Sequence, residues 1–383
     1  MRKDNSSFRL VASALLLMSV TACTTLEDFF GSARYERGAP NVVPLRQRPV
    51  EVPAEPNRFV LESPGQDVVG TPQVVFPGAT DTLSDFAREY GLGYDELLAA
   101  NPGVNPWLPG ENTPILLPTQ YVLPNVPREG VILNIASRRL FYFPAMGEGQ
   151  DQIIFTYPIG IGRVGWETPL GATKVVSKAE NPSWWVPASV RREHAEMGDP
   201  LPSVVPPGPD NPLGTRVLKL EMPGYLIHGT NQPYGVGMRV SHGCIRLYPE
   251  NIEFLYELVE IDEPVRIINE PYLLGQRDGE WYFESHEPLE DDVIEPAERL
   301  ATLLQAAGIS VAQQEHVRAI ASNADGVPVR IAAFDSSEVL ARARLVHNTI
   351  EQDPDAPTLE EVREMIDAAV AEAELEAGKD LGM

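Results

Sequence analysis

Tyr225-Leu226-Ile227-His228-Gly229-Thr230 and, after twelve residues counted from the histidine, Ser241-His242-Gly243-Cys244-Ile245-Arg246-Leu247 hold the densest chemistry in this chain of 383 residues. The apolar run Tyr225 to Ile227 reads as a strand ending in His228, a rigid place to hold an imidazole. A cysteine nucleophile needs a base to form thiolate and a group to orient that base. It also needs donors aimed at the developing oxyanion. Gly243 permits unusual backbone angles beside Cys244, so the amides of Gly243 and Cys244 are expected to converge on one oxygen. The helix read from Pro249 to Val259 follows closely, and its positive end is expected to favour thiolate. Two imidazoles are candidates for the base. His242 stands two residues from the thiol, whereas His228 needs the fold to bring it close, and spacing does not choose between them.

Outward from this motif, residues 122–270 are rich in β-branched and aromatic residues with frequent turn signals, as in VILNIASRRLFYF, DQIIFTYPIGIG and PVRIIN. Many short strands at close spacing predict a mainly β domain, with Pro249–Val259 its only clear helix. Residues 186–213, Pro-rich and of mixed charge, read as a lid or groove wall. A zinc site needs three or four clustered ligands, and Cys244 supplies at most His228 and His242 as companions. No metal is expected. His194, His286, His316 and His347 are scattered and read as surface residues.

The spacing His-x12-Ser-His-Gly-Cys-Ile-Arg resembles the active-site signature of the YkuD-type L,D-transpeptidases, and within them the ErfK/YbiS group. Gly165-Trp166-Glu167-Thr168-Pro169-Leu170-Gly171 resembles that family's Thr-Pro-x-Gly turn. Asn181-Pro182-Ser183-Trp184-Trp185 and Asn211-Pro212-Leu213-Gly214 resemble its Asn-Pro-Thr-Trp and Asn-Pro-Leu-Gly segments. The resemblance implies a YkuD-like β-sandwich with Cys244 as nucleophile and His228 as base. Nδ1 of His228 would bond a backbone carbonyl, that of Gly229, in place of the acid of a triad. The amides of Gly243 and Cys244 would form the oxyanion hole. His242 would stand behind the base, and Ser241 and Arg246 would shape the pocket. Arg246 either faces a substrate carboxylate or holds the loop by an ion pair, and Trp184 would line the groove. The implied substrates are peptidoglycan stem peptides and glycan strands. No cofactor is implied, and a small outer-membrane lipoprotein is one candidate acyl acceptor.

Residues 73–119 read as strand, helix (Thr82–Tyr90), helix (Tyr94–Ala100) and strand (Ile115–Leu117). That β-α-α-β order resembles a LysM glycan-binding domain, although Thr80 stands where that family has glycine. Residues 271–383 read as an acidic, mostly helical C-terminal extension. It opens with a hairpin turn at Arg277-Asp278-Gly279-Glu280 and includes a helix started by the Thr358/Glu361 capping box. Residues 23–72 read as a Pro-rich tether. Residues 1–22 carry a basic start (Arg2, Lys3, Arg9) and an apolar run too short to span a bilayer, as a signal peptide does. Val20-Thr21-Ala22-Cys23 resembles a lipobox, which implies acylation of Cys23. Thr24 in place of Asp implies the outer membrane, with the protein in the periplasm. Only two cysteines exist, so a lipidated Cys23 leaves Cys244 without a disulfide partner. The formal charge of −25, with no basic stretch, excludes a nucleic-acid binder.

Overall fold

The structure, a computed structural model, describes residues 44–63, 65–147, 149–332 and 337–351. The expected signal peptide, Cys23, the first part of the expected tether and the helix expected from the Thr358/Glu361 capping box lie outside them.

A nine-stranded mixed sheet forms the centre. In spatial order its strands are Arg58–Val60, Ile153–Pro158, Arg139–Phe143, Gly130–Asn134, Pro264–Ile268, Gly171–Glu180, Arg216–Leu220, Leu226–His228 and Ile245–Arg246. Neighbouring side chains on a strand point to opposite faces, and here both faces are covered. Val131, Leu133, Leu140, Tyr142 and Tyr157 pack with Ile252 and Leu255 of the Pro249–Leu258 helix. Ile132, Phe141, Phe143 and Ile154 pack on the other side with Val69, Tyr121 and Leu123. Two-sided burial explains why VILN and LFYF are continuous apolar runs and do not alternate.

Three expectations change. Residues 58–72 are part of the fold, not tether. Arg58–Val60 is an edge strand of the large sheet, and Val68–Gly70 pairs with Gln120–Val122. Phe59, Val68 and Val69 supply the apolar contacts, which the surrounding prolines hide from a periodicity reading. A second helix, Ala188–Glu196, stands inside the 186–213 stretch. Val190 is its one buried residue, so it shows no apolar stripe. The third change concerns residues 271–351, which mix strand with helix. Tyr272–Arg277 and Glu280–Ser285 form the hairpin, with Asp278 and Gly279 both at positive φ as a tight turn requires. Val329–Arg330 extends it, and helices Pro296–Ala306 and Val311–Ala321 pack against it. Arg344–Leu345 then lies parallel to Gln73–Val74, so this region is woven into the fold.

Residues 73–117 have the expected element order. Gln73–Val75 pairs antiparallel with Ile115–Leu117, around helices Leu83–Glu89 and Tyr94–Ala100. Thr82 caps the first helix reciprocally with Asp85. This unit is joined to the large sheet by a buried ion pair, Arg139 to Glu96 at 2.5 Å.

Candidate active site

The strand Leu226–His228 runs parallel to Ile245–Arg246, pairing Ile227 with Ile245 and His228 with Arg246. Both isoleucines are in the core. Alternation therefore turns His228 and Arg246 to the opposite face, and Cys244 sits one residue before the second strand. The motif residues that lie apart in sequence are thus brought onto neighbouring strands.

His228 is buried, and its Nδ1 lies 2.6 Å from the Gly229 carbonyl oxygen. A carbonyl can only accept, so Nδ1 carries the proton and Nε2 keeps its lone pair. Burial, reinforced by the Arg246 guanidinium, pushes the imidazole pKa down to about 3. The Cys244 thiol moves the other way. Burial raises its pKa, against smaller opposing effects from the Leu226 backbone and Arg246. Desolvation is the largest effect on both groups, and the resting pair is neutral thiol and neutral imidazole.

The Ser241–Cys244 turn is held by side-chain bonds that the sequence did not reveal. Ser241 is buried, and its Oγ donates to the Cys244 carbonyl at 2.6 Å while accepting from the Gly243 amide at 3.1 Å. The Gly243 amide is therefore engaged within the turn, which corrects the expectation that it points with Cys244 at a common oxygen. Thr168 Oγ1 donates to the Gly243 carbonyl at 2.9 Å and accepts from Gly162 N at 3.2 Å. Gly243 has φ 99°, a region that favours glycine. A Cβ on Gly162 would lie 1.9 Å from the Trp166 carbonyl oxygen and 3.0 Å from Gly243 Cα, so this close approach also requires glycine.

His242 is committed elsewhere. Its Nε2 donates to Glu193 Oε2 at 2.7 Å, and Arg163 pairs with the same carboxylate. Trp166 meets the His242 ring edge-on at 4.8 Å, and His194 lies at 6.2 Å. His194, read as a scattered surface residue, thus borders the site. Burial lowers the His242 pKa. Arg246 makes no ion pair among the described residues, and its buried Nε has no partner there. The loop-holding ion pair considered for it is absent among those residues, and its charge is left facing His228 and Cys244.

Trp184–Trp185 pairs with Val204–Val205 as a short ribbon. Trp184 is half-buried and Trp185 is 76% exposed, so neither is core. Asn211 is fully buried, and its Nδ2 donates to the carbonyls of Pro182 and Pro206 at 2.8 and 3.1 Å. Its Oδ1 accepts from Leu213 N at 2.9 Å. The motif asparagine is therefore the clamp at the base of the 186–213 segment. Among the described residues, no group of three or more His, Cys, Asp or Glu is placed to hold a metal ion.

Residues 128–267 match the YkuD family, the L,D-transpeptidase catalytic domain. The chain is 38% identical over 284 residues to "Probable L,D-transpeptidase YbiS" of Escherichia coli strain K12, spanning 71% of this chain and 91% of that one. It is 38% identical over 262 residues to "Probable L,D-transpeptidase YcfS" of the same strain, spanning 67% and 81%. It is 40% identical over 235 residues to "Probable L,D-transpeptidase ErfK/SrfK" of Salmonella typhimurium strain LT2, spanning 60% and 74%.

Proposed function

The chain belongs to the YkuD-type L,D-transpeptidases, and on that premise we propose that Cys244 is its nucleophile and His228 its general base, acting on peptidoglycan stem peptides. One observation carries the reading: a buried, neutral imidazole, its tautomer fixed by the Gly229 carbonyl, stands on the strand beside Cys244. His228 Nε2 takes the thiol proton as sulfur attacks the carbonyl of the third stem residue, diaminopimelate. The C–S bond forms, the amide C–N bond breaks, and D-Ala leaves with the proton from His228. An amine then attacks the thioester, the new C–N bond forms as the C–S bond breaks, and the amine's proton passes by way of His228 to the departing thiolate, restoring the thiol. One acyl bond is exchanged for another, so no nucleotide is consumed. The Cys244 amide is the oxyanion donor in this scheme. The unpaired Arg246 guanidinium faces a substrate carboxylate, and Trp184 borders the groove.

The acceptor is the amine of a second stem or the lysine of a small outer-membrane lipoprotein. Similarity to the ErfK/YbiS group supports the second. Residues 73–119 act as a LysM-like module on the glycan strand, a reading supported by their strand-helix-helix-strand order. Cys23 carries the lipid that anchors the protein in the periplasm at the outer membrane, a reading supported by the lipobox-like sequence alone. Incubating the full chain with disaccharide-tetrapeptide, with Cys244→Ala as control, should release D-Ala in a Cys244-dependent manner, read by mass spectrometry. Linked dimers would identify a stem acceptor, whereas D-Ala release without dimers would point to a protein acceptor or water. No D-Ala release by the wild type would sink the donor assignment.

A further inference from the structure

The helix Ala188–Glu196 is nine residues long. Isolated helices of that length are marginal, so tertiary contacts must hold it in place. Its apolar contribution is small, since Val190 is its one buried residue. The base of the segment is fixed by Asn211 and by the Trp184–Trp185 ribbon. At the far end of the helix, Glu193 reaches the catalytic turn: Oε2 accepts from His242 Nε2 at 2.7 Å, and Arg163 binds the same carboxylate. Arg163 is itself tied to that turn, because its backbone N–H donates to the Ser241 carbonyl at 3.0 Å. His242 is two residues from the nucleophile. The segment is therefore clamped at its base, and the Glu193 carboxylate fastens its helix to the Ser241–Cys244 turn.

We propose that Glu193 is a positioning residue that latches the Ala188–Glu196 helix onto the catalytic turn through His242 and Arg163, so that the helix covers the stem-peptide groove while Cys244 is acylated. The cluster gives His242 a role distinct from that of the base. The side chains of Arg163, Glu193 and His242 are 37%, 27% and 24% exposed. Contacts this open contribute little to global stability. They act on a local equilibrium between a closed and an opened segment. This inference rests on the stem-peptide reading above, but its first readout does not need that substrate.

The test compares the full-length wild type with Glu193→Gln, His242→Gln and the double variant. Alkylation of Cys244 by iodoacetamide, followed across pH, separates access (the plateau at high pH) from thiolate fraction (the midpoint). Opening the latch should raise the plateau about fivefold in Glu193→Gln, because a small reagent needs access and no groove. The same variant should lower kcat/KM for D-Ala release about tenfold, chiefly through KM. His242→Gln should add less than about twofold to either effect in the Glu193→Gln background, since both members act through one contact. A plateau that is unchanged, or that falls together with D-Ala release, overturns the latch, as does multiplication of the two effects. Should Glu193→Gln lower the thermal midpoint, Arg163→Gln breaks the same cluster from its other side and is read against the same outcomes. If the wild type releases no D-Ala, the substrate assignment fails and the alkylation plateau still decides the latch.

Discussion

Replacing His228 with asparagine isolates the energetic signature of the buried neutral imidazole. Asparagine keeps a donor for the Gly229 carbonyl but cannot titrate. In the folded protein the imidazole pKa is held at about 3, against an ordinary value of 6.5, by burial first and by Arg246 second. Below pH 6.5 the unfolded chain takes up a proton that the folded chain refuses until about pH 3. The stability contributed by neutral His228 is therefore complete above pH 6.5 and is lost as pH falls below it. The slope is about 1.4 kcal/mol per pH unit. Between pH 7.5 and pH 4.5 about two units fall inside this window, giving a loss of about 3 kcal/mol in the wild type that His228→Asn lacks. Carboxylates titrate in both proteins and cancel in the difference. Urea unfolding of both proteins at pH 7.5, 6.5, 5.5 and 4.5 measures it. The gap between wild type and variant should hold steady from pH 7.5 to 6.5 and then shift by about 3 kcal/mol against the wild type by pH 4.5. A gap constant across the whole range would mean that the folded protein accommodates imidazolium beside Arg246, and the neutral-base scheme would fail with it.

Two further substitutions test charges whose partners the structure specifies. Arg246→Met removes a guanidinium that is desolvated and without an ion-pair partner among the described residues. The thermal midpoint should therefore hold or rise, while KM for the tetrapeptide rises about tenfold or more if the guanidinium binds a carboxylate of the substrate. A fall in midpoint with KM unchanged would instead assign Arg246 to holding the loop. Glu96→Ala removes the ion-pair partner of the Arg139 guanidinium, which is 2% exposed and keeps the Gly91 carbonyl and the Thr156 hydroxyl at 3.3 Å. It should cost about 3–5 kcal/mol in urea unfolding, and a cost under about 1 kcal/mol would show that the pair contributes little to joining the 73–117 unit to the sheet.

The strand that ends in His228 was legible because its information is local. Tyr225-Leu226-Ile227 announces it, whereas the two-residue strand Ile245–Arg246 shows no pattern and is set by its pairing with Ile227 and His228. Pro249 and the apolar spacing after it announce the following helix. The helices of the 73–117 unit were legible for the same reason, with Thr82 and Gly91 marking the ends of the first. Local reading failed wherever an element owes its place to a distant partner. Phe59 and Val69 look like stray apolar residues among prolines until the Tyr121 and Phe141 side of the sheet is built beneath them. Arg344–Leu345 becomes a strand only because Gln73–Val74 offers an edge to it.

The same division runs through the active site. The choice between His228 and His242 was open in sequence because both stand near Cys244 by some measure, one by motif spacing and one along the chain. What separates them is the partner of each ring. A carbonyl of the neighbouring residue fixes the proton of His228 on Nδ1, leaves Nε2 as an acceptor and adds no charge. A carboxylate from a helix 49 residues away engages Nε2 of His242 and takes that atom out of acid-base work. Glu193 could not be singled out from the run Arg191-Arg192-Glu193-His194, since nothing in a polar stretch says which charge turns inward. Two histidines, one two residues from the thiol and one on the neighbouring strand, thus differ in what they offer: His228 keeps Nε2 available to accept a proton, and His242 commits Nε2 to Glu193.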